Sequence, residues 1–406
     1  MNNKIKLAVA GAVLASASVA NAGITWDAGE WTVDMNGNVN AFATMTNAKD
    51  SNVIGGGLAG TKGNDQDIAA IQTGLLPNWL GFTATTRQND LDTSVTISFQ
   101  PGAGGTEALT TGGNTENRQA FLTFGDKSWG SVKVGKDLGI FGSTAILNDM
   151  TLLGVGAGAA GGGATTTLGR IGTGYIYADW MGQISYTTPN MNGFSLTAGI
   201  TQPWNSTSTF SGTTSATSQG TNDEFALAAQ ASYSWTGDFA GKVWGGFYRQ
   251  DVTNIGVADA VTGVITDGSS DDATAYEVGV STSIYNINLV AYGYAGEGVG
   301  TTLLLSNGFD ANGQARDSDG GYLQATYVIP MGTKLGVSYG ISKLDSNGVD
   351  NTVVGQTLVK ENNMLTVGAY HPLTKHLNLV AEFSKVESEA QNGNTNESDT
   401  IALGAI

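Results

Sequence analysis

Apolar and polar residues alternate along most of this chain. Phe194, Leu196, Ala198 and Ile200 interleave with Ser195, Thr197, Gly199 and Thr201. Phe225, Leu227, Ala229, Ala231, Tyr233 and Trp235 interleave with residues such as Glu224, Gln230, Ser232 and Ser234. Leu335, Val337, Tyr339 and Ile341 do the same with Gly336, Ser338, Gly340 and Ser342. A period of two marks a strand with two unlike faces. Matched along the chain, this template predicts about sixteen strands, the first over residues 30–44 and the last over 399–406. Short turns at 88–90, 125–128, 236–238, 285–286, 330–332 and 371–374 alternate with long polar loops at 47–72, 101–115, 251–272, 296–319, 345–361 and 387–398. The longest loop covers about forty residues, 137–176, a length that in a compact β protein is functional or disordered.

Such sorting of short turns and long loops is a property of transmembrane β-barrels. The pattern therefore predicts an all-β fold, a transmembrane antiparallel β-barrel closed by pairing 30–44 with 399–406, because lipid tolerates no open sheet edge. Trp31, Trp129, Trp235, Phe239, Tyr285 and Tyr327 fall near strand ends, where amphipathic rings favour the headgroup interface. Ser232, Ser234, Ser338, Gly340 and Ser342 fall on the predicted inner face, and sixteen strands leave room for water there.

Composition sharpens this picture. Only 13% of the 406 residues are charged, the net charge is −17, and mean hydropathy is near zero. That balance suits strands with one lipid face and one water face. Eighteen basic residues against thirty-five acidic ones argue against nucleic acid as a partner. The chain has no cysteine, which excludes disulfides and Cys-ligated metal. Lys4 and Lys6, an apolar stretch over 7–19 and Ala20-Asn21-Ala22 read as a cleaved leader over 1–22, ahead of a barrel domain over 23–406. Its removal would bring the charge to about −19. No later apolar run is long enough for a membrane helix.

Candidate chemistry is sparse. Gly156–Gly161 matches G-x-G-x-x-G, but without a βαβ context it reads as a loop folding tightly against a wall rather than a dinucleotide site. His371 and His376 flank one turn, with no nucleophile or acid in reach by pattern, so no cofactor and no enzyme is expected. The acidic stretches 310–319 and 345–350 read as solvated loops that attract cations, with weak divalent-cation binding the lesser alternative.

The stretch 116–201 resembles the core of the general porins of Gram-negative outer membranes. The resemblance rests on Asn-Arg-Gln-Ala-Phe at 117–121, Val-Gly-Lys at 134–136, Asp149-Met150, and Gly-Arg-Ile-Gly at 169–172. It implies that the third loop, about 137–176, folds into the barrel and narrows it. It places Arg118 and Arg170 as wall and post-loop arginines, Asp149 as the facing loop carboxylate, and Lys136 as the basic residue where the loop begins. Trp79 stands where the family carries another wall arginine and Asn38 where some members carry a lysine. A second loop acid is absent from 152–155. The family usually ends in an aromatic residue, whereas this chain ends in Leu403-Gly404-Ala405-Ile406, so that it is either clipped or served by a terminal Ile. The resemblance implies a homotrimer amid outer-membrane lipid and lipopolysaccharide, passing small hydrophilic solutes and ions. A mild cation preference is expected from the acidic loops. The rival expectations are a substrate-specific channel narrowed by Trp79 and apolar loop residues, and a surface structural or adhesive barrel.

Overall fold

The computed structural model describes residues 23–62, 67–104, 115–158, 166–210, 214–218, 224–257, 265, 268–310, 312–348, 350 and 355–406. The expected leader, 1–22, lies outside them. The strands in the first third are β1 (Ile24–Ala28), β2 (Trp31–Asn38), β3 (Ala41–Ala48), β4 (Ile68–Gln72), β5 (Trp79–Gln88), β6 (Leu91–Pro101), β7 (Thr115–Glu116), β8 (Ala120–Asp126) and β9 (Gly130–Leu138). A helix, α1 (Ser143–Asn148), and a 3-10 turn (Met150–Leu153) follow. Then come β10 (Trp180–Thr187), β11 (Phe194–Thr201), β12 (Thr207–Phe210), β13 (Thr214–Ser218), β14 (Ala226–Trp235) and β15 (Phe239–Val257). The last part holds β16 (Ser269–Ile284), β17 (Ile287–Glu297), β18 (Asp317–Val328), β19 (Lys334–Leu344), β20 (Val359–Thr374), β21 (Leu377–Ala390) and β22 (Thr395–Ala405).

All twenty-two strands belong to one pairing network, and each ladder is antiparallel. β22 pairs with β3, with Ile401 opposite Met45 and Ala405 opposite Ala41, which closes the ring. Three wall positions are shared by two strands each: β2 with β3, β4 with β5, and β22 with β1, which pair with β3 and β2 respectively. β7, β12 and β13 pair only at the loop ends of β6 and β15. The described strands therefore fill sixteen positions around the wall.

The predicted first strand is broken at Val39 and Asn40. Asn40 is buried and holds the facing break between β4 and β5: Nδ2 donates to the Leu76 carbonyl at 2.8 Å and Oδ1 accepts from the Gly74 N–H at 2.8 Å. The strand expected over 74–86 begins only at Trp79, and residues 74–78 instead carry Leu75 and Leu76 into the lumen, where both are buried. The predicted loops at 251–272 and 387–398 begin and end as strand, over 251–257, 269–272, 387–390 and 395–398. In β21, Glu387 and Glu389 point out while Ser388 and Ala390 point in and are buried, so the two-residue period continues above the apolar zone. β15 has 19 residues and β16 and β20 have 16 each, whereas β8 to β11 have 7 to 9. At roughly 3.3 Å per residue the long strands overreach an apolar band of about 25 Å and the short ones barely span it.

Outward positions carry exposed large apolar side chains on every side, among them Met45, Leu80, Ile97, Leu122, Ile184, Leu227, Val278, Leu323, Val337 and Leu403. Such a continuous apolar girdle is stable only against lipid. Trp129, Phe239, Tyr285 and Tyr327 border it at the short-turn end. The buried core lies inside the ring. Ser338 and Ser342 face inward as predicted, but the inner wall from β15 to β20 is aromatic, with Trp244, Tyr248, Tyr292, Tyr294, Tyr322 and Tyr370 all buried.

Candidate functional site: the constriction

The chain leaves β9 at 139, runs inside the barrel over the described residues 139–158 and 166–179, and returns as β10. This third loop is apolar where it meets the wall, and Ile140, Phe141, Ala145, Ile146, Met150, Val155 and Ile176 are buried. Wall side chains from β14 to β21 hold its backbone. Gln230 accepts from Thr144 Oγ1 at 2.6 Å. Glu277 accepts from the Gly142 N–H at 3.1 Å, from Gln230 at 2.9 Å and from Tyr292 at 2.9 Å. Tyr322 donates to the Ala145 carbonyl at 2.8 Å. Gln324 accepts from the Met150 N–H at 2.7 Å and donates to the Asn148 carbonyl at 2.9 Å. Glu382 accepts from the Val155 and Gly156 N–H groups at 2.7 and 3.0 Å and from Tyr370 at 2.6 Å. A Cβ on Gly154 would overlap Glu382, so only glycine lets the loop come this close. Gly156, at φ 61, packs on Gly169; the rest of the G-x-G-x-x-G run, beyond Gly158, lies outside the described residues.

Asp149 and Arg170 meet inside this packing, not across an open channel. Arg170 Nε lies 3.9 Å from Asp149, and both side chains are fully buried. Arg170 donates to the Met364 carbonyl at 3.0 Å and the Ser338 carbonyl at 3.2 Å. Asp149 accepts from the Thr151 N–H at 2.9 Å, from Thr151 Oγ1 at 2.6 Å and from Tyr175 at 2.9 Å. Burial and this carboxylate push the Tyr175 phenol well above its ordinary range.

Two further loops fold onto the same half of the wall. Tyr177 N–H donates to the Thr302 carbonyl at 2.9 Å, which joins the third loop to segment 298–316. Leu58 and Gly60 N–H groups donate to Ser388 and Ser398 on β21 and β22, each at 2.9 Å. Asp310 and Asp350, predicted as solvated, are buried. Asp310 caps its own turn through the Asn312 and Gln314 N–H groups at 2.8 and 2.9 Å. Asp350 grips Arg316 through two bonds of 2.7 Å. Among the described residues no cluster of three or more metal-ligating side chains occurs.

The opposite sector, from β2 to β10, borders the other side of the third loop, where the Leu75 and Leu76 N–H groups donate to the Gly154 and Leu152 carbonyls at 2.8 and 3.2 Å and Gln72 to the Gly158 carbonyl at 3.1 Å. Arg118 sits here, buried, with Nε donating to Glu116 at 2.8 Å, Nη1 3.5 Å from Tyr177 Oη, and its guanidinium 6.0 Å from the Trp180 ring centre. Burial pushes the Tyr177 phenol up to about 12. The Asp179 carboxyl is also raised by burial, against the pull of Arg118 and Lys136. Trp79 lies on the inner face of β5, its Nε1 donating to Asn36 at 3.1 Å, and Asn38 donates to the Pro77 carbonyl at 3.2 Å. Lys136 leaves the set. Lys133 and Asp137 face inward as a pair, so by strand alternation Lys136 points outward, exposed, with Nζ donating to the Asn117 carbonyl at 2.8 Å.

Sequence reasoning missed Glu277, Glu382 and Gln324. Their signal was present: Glu277 lies between outward Tyr276 and Val278, and Glu382 between outward Ala381 and Phe383. A lone carboxylate on the inner face of a membrane strand needs a partner.

A lipid-facing barrel narrowed by an inward loop defines an outer-membrane channel. The family model described as Gram-negative porin matches residues 8–391, and the chain belongs to that family. No curated protein matches the chain. Solved structures similar in fold include the outer membrane channel DcaP of Acinetobacter baumannii, at 17% identity and TM-score 0.65 over 94% of this chain and 98% of that one. The anion-selective porin from Comamonas acidovorans follows, at 14% identity and TM-score 0.61 over 93% and 100%. OmpT of Vibrio cholerae in its trimer form is similar at 13% identity and TM-score 0.53 over 93% and 99%. The chain is an outer-membrane protein of a Gram-negative bacterium.

Proposed function

We propose that the barrel is a water-filled passage for passive diffusion of small hydrophilic solutes and ions, that it works as a homotrimer, and that its small-ion preference is mildly cationic. One observation carries the diffusion reading. The third loop is fastened by Gln230, Glu277, Gln324 and Glu382 to the β14–β21 wall and, on its other side, by Gln72 and the Leu75 and Leu76 N–H groups, yet a cleft stays open there between it and Pro77, Arg118 and Trp180. The trimer form of the similar OmpT supports the assembly. Cation preference is supported by the acidic balance of the chain and by Glu116 and Asp179 beside Arg118. Lipopolysaccharide is the proposed lipid neighbour, and loosely held divalent cations are proposed at the acidic outer loops.

Single-channel recording of the refolded protein in a planar bilayer with a KCl gradient tests all three parts. Ohmic steps grouped in threes and a reversal potential on the cation side are expected. A folded barrel that gives no steps would overturn the diffusion reading, single ungrouped steps the trimer, and an anion-side potential the ion preference.

A further inference from the structure

Between the third loop and the β2–β10 wall lies a cleft of about 60 Å³. Leu75, Leu76, Ile146, Leu147, Leu152 and Leu168 line it. A strongly hydrated solute gains nothing from such walls and passes without being held. An apolar group does gain, by about the transfer energy of the surface it covers. Two strong donors stand among the polar groups of the cleft. Arg118 has donors alone, with Nη1 turned towards Tyr177. Trp180 Nε1–H is buried near the Tyr177 hydroxyl and makes no hydrogen bond of ordinary length. Thr166 and Thr167 spend their hydroxyl protons on backbone carbonyls. Among the described residues no carboxylate lines the cleft, although Glu116 and Asp179 stand beside Arg118.

We propose that this cleft binds solutes with an apolar body and one anionic end, the class of short fatty-acid anions. The body lies against the leucines, and the anion takes the donors of Arg118 and Trp180. This inference rests on the channel reading and names the solutes that the passage retains. It is compatible with a cationic small-ion preference, since retention comes from apolar contact in the cleft while small ions respond to the charge of the whole mouth.

The test is titration of hexanoate into the KCl current of the full protein in a planar bilayer, with acetate and hexylammonium as comparators. Hexanoate should interrupt the current saturably, and the comparators should not. Arg118→Gln and Leu152→Ser should each weaken the block by about tenfold, whereas Arg249→Gln, on the outer face, should leave it unchanged. A linear response to hexanoate, equal block by hexylammonium, or block untouched by both cleft variants would overturn the inference while KCl steps persist. Loss of KCl steps in the parent protein would overturn the channel reading, and this inference with it.

Discussion

Replacing Glu382 by Ala removes the acceptor for two loop N–H groups and one wall phenol at once. The Val155 and Gly156 amides and the Tyr370 hydroxyl lie 2.7, 3.0 and 2.6 Å from its oxygens, all of them buried. A hydrogen bond to a charged group is worth about 1.5–3 kcal/mol, and a buried donor left alone costs about 1–3 kcal/mol. Partial relaxation and non-additivity bring the local cost to about 3 kcal/mol, or a little over a hundredfold in an opening equilibrium. The barrel itself should survive, because β21 keeps its ladders to β20 and β22. Gln324 should still hold the Met150 amide. Amide hydrogen exchange in detergent or nanodiscs is the assay. Protection at Val155 and Gly156 should fall about a hundredfold, protection at Met150 should change little, and current through single channels should flicker. Glu382→Gln, which keeps one acceptor oxygen, should fall between. Unchanged protection at Val155 and Gly156 in Glu382→Ala would refute the latch, and an equal loss at Met150 would show that the loop moves as one body.

Other substitutions test separate parts. Arg170→Ala leaves buried Asp149 without its cation and two carbonyls without donors, and should cost about 3–5 kcal/mol, read as a lower unfolding temperature of the assembled protein. Asp350→Ala strands buried Arg316 and should make the outer loops 298–316 and 345–358 open to protease without loss of KCl conductance; unaltered digestion would count against the loop clamp. Asp179, held above the ordinary carboxylate range, gains its proton sooner as pH falls, which removes negative charge beside Arg118. The reversal potential should therefore drift towards anions as pH falls, and Asp179→Asn, which also tolerates φ 54, should show that drift already at neutral pH. Because the folded-state pKa is raised, ionised Asp179 costs stability as pH rises through that window, so the Asn variant should be no less heat-stable at neutral pH.

The wall was legible because lipid and water enforce one rule at every second position. Leu227, Val337 and Leu403 announced their outward direction, and Ile401 its place in the closing strand. The same rule, applied to Lys136, would have removed it from the constriction, since Lys133 and Asp137 share the other face. Arg118, Arg170 and Asp149 were legible as residues of interest, but not their surroundings. That Arg170 and Asp149 are sealed together depends on Met364, Ser338 and Tyr175, which are remote in sequence or silent in pattern. The leucines at 75 and 76 read as strand because nothing local says that Asn40, thirty-six residues from Leu76, will hold the chain in a break. Long strands were read as loops because charge on the outer face is a loop signal only within the bilayer; above it, Glu387 and Glu389 are ordinary strand residues.

The unequal strand lengths tilt the rim. β15, β16, β20 and β21, at 14 to 19 residues, stand well above the apolar band, while from β8 to β11 the wall ends close to it. The low side is the side on which Arg118 and the cleft lie. Were that side to face lipid, a solute could reach the mouth sideways from the headgroup layer as well as along the barrel axis. Amphipathic molecules, which collect at that layer, would meet the entrance at a concentration higher than that of the surrounding medium.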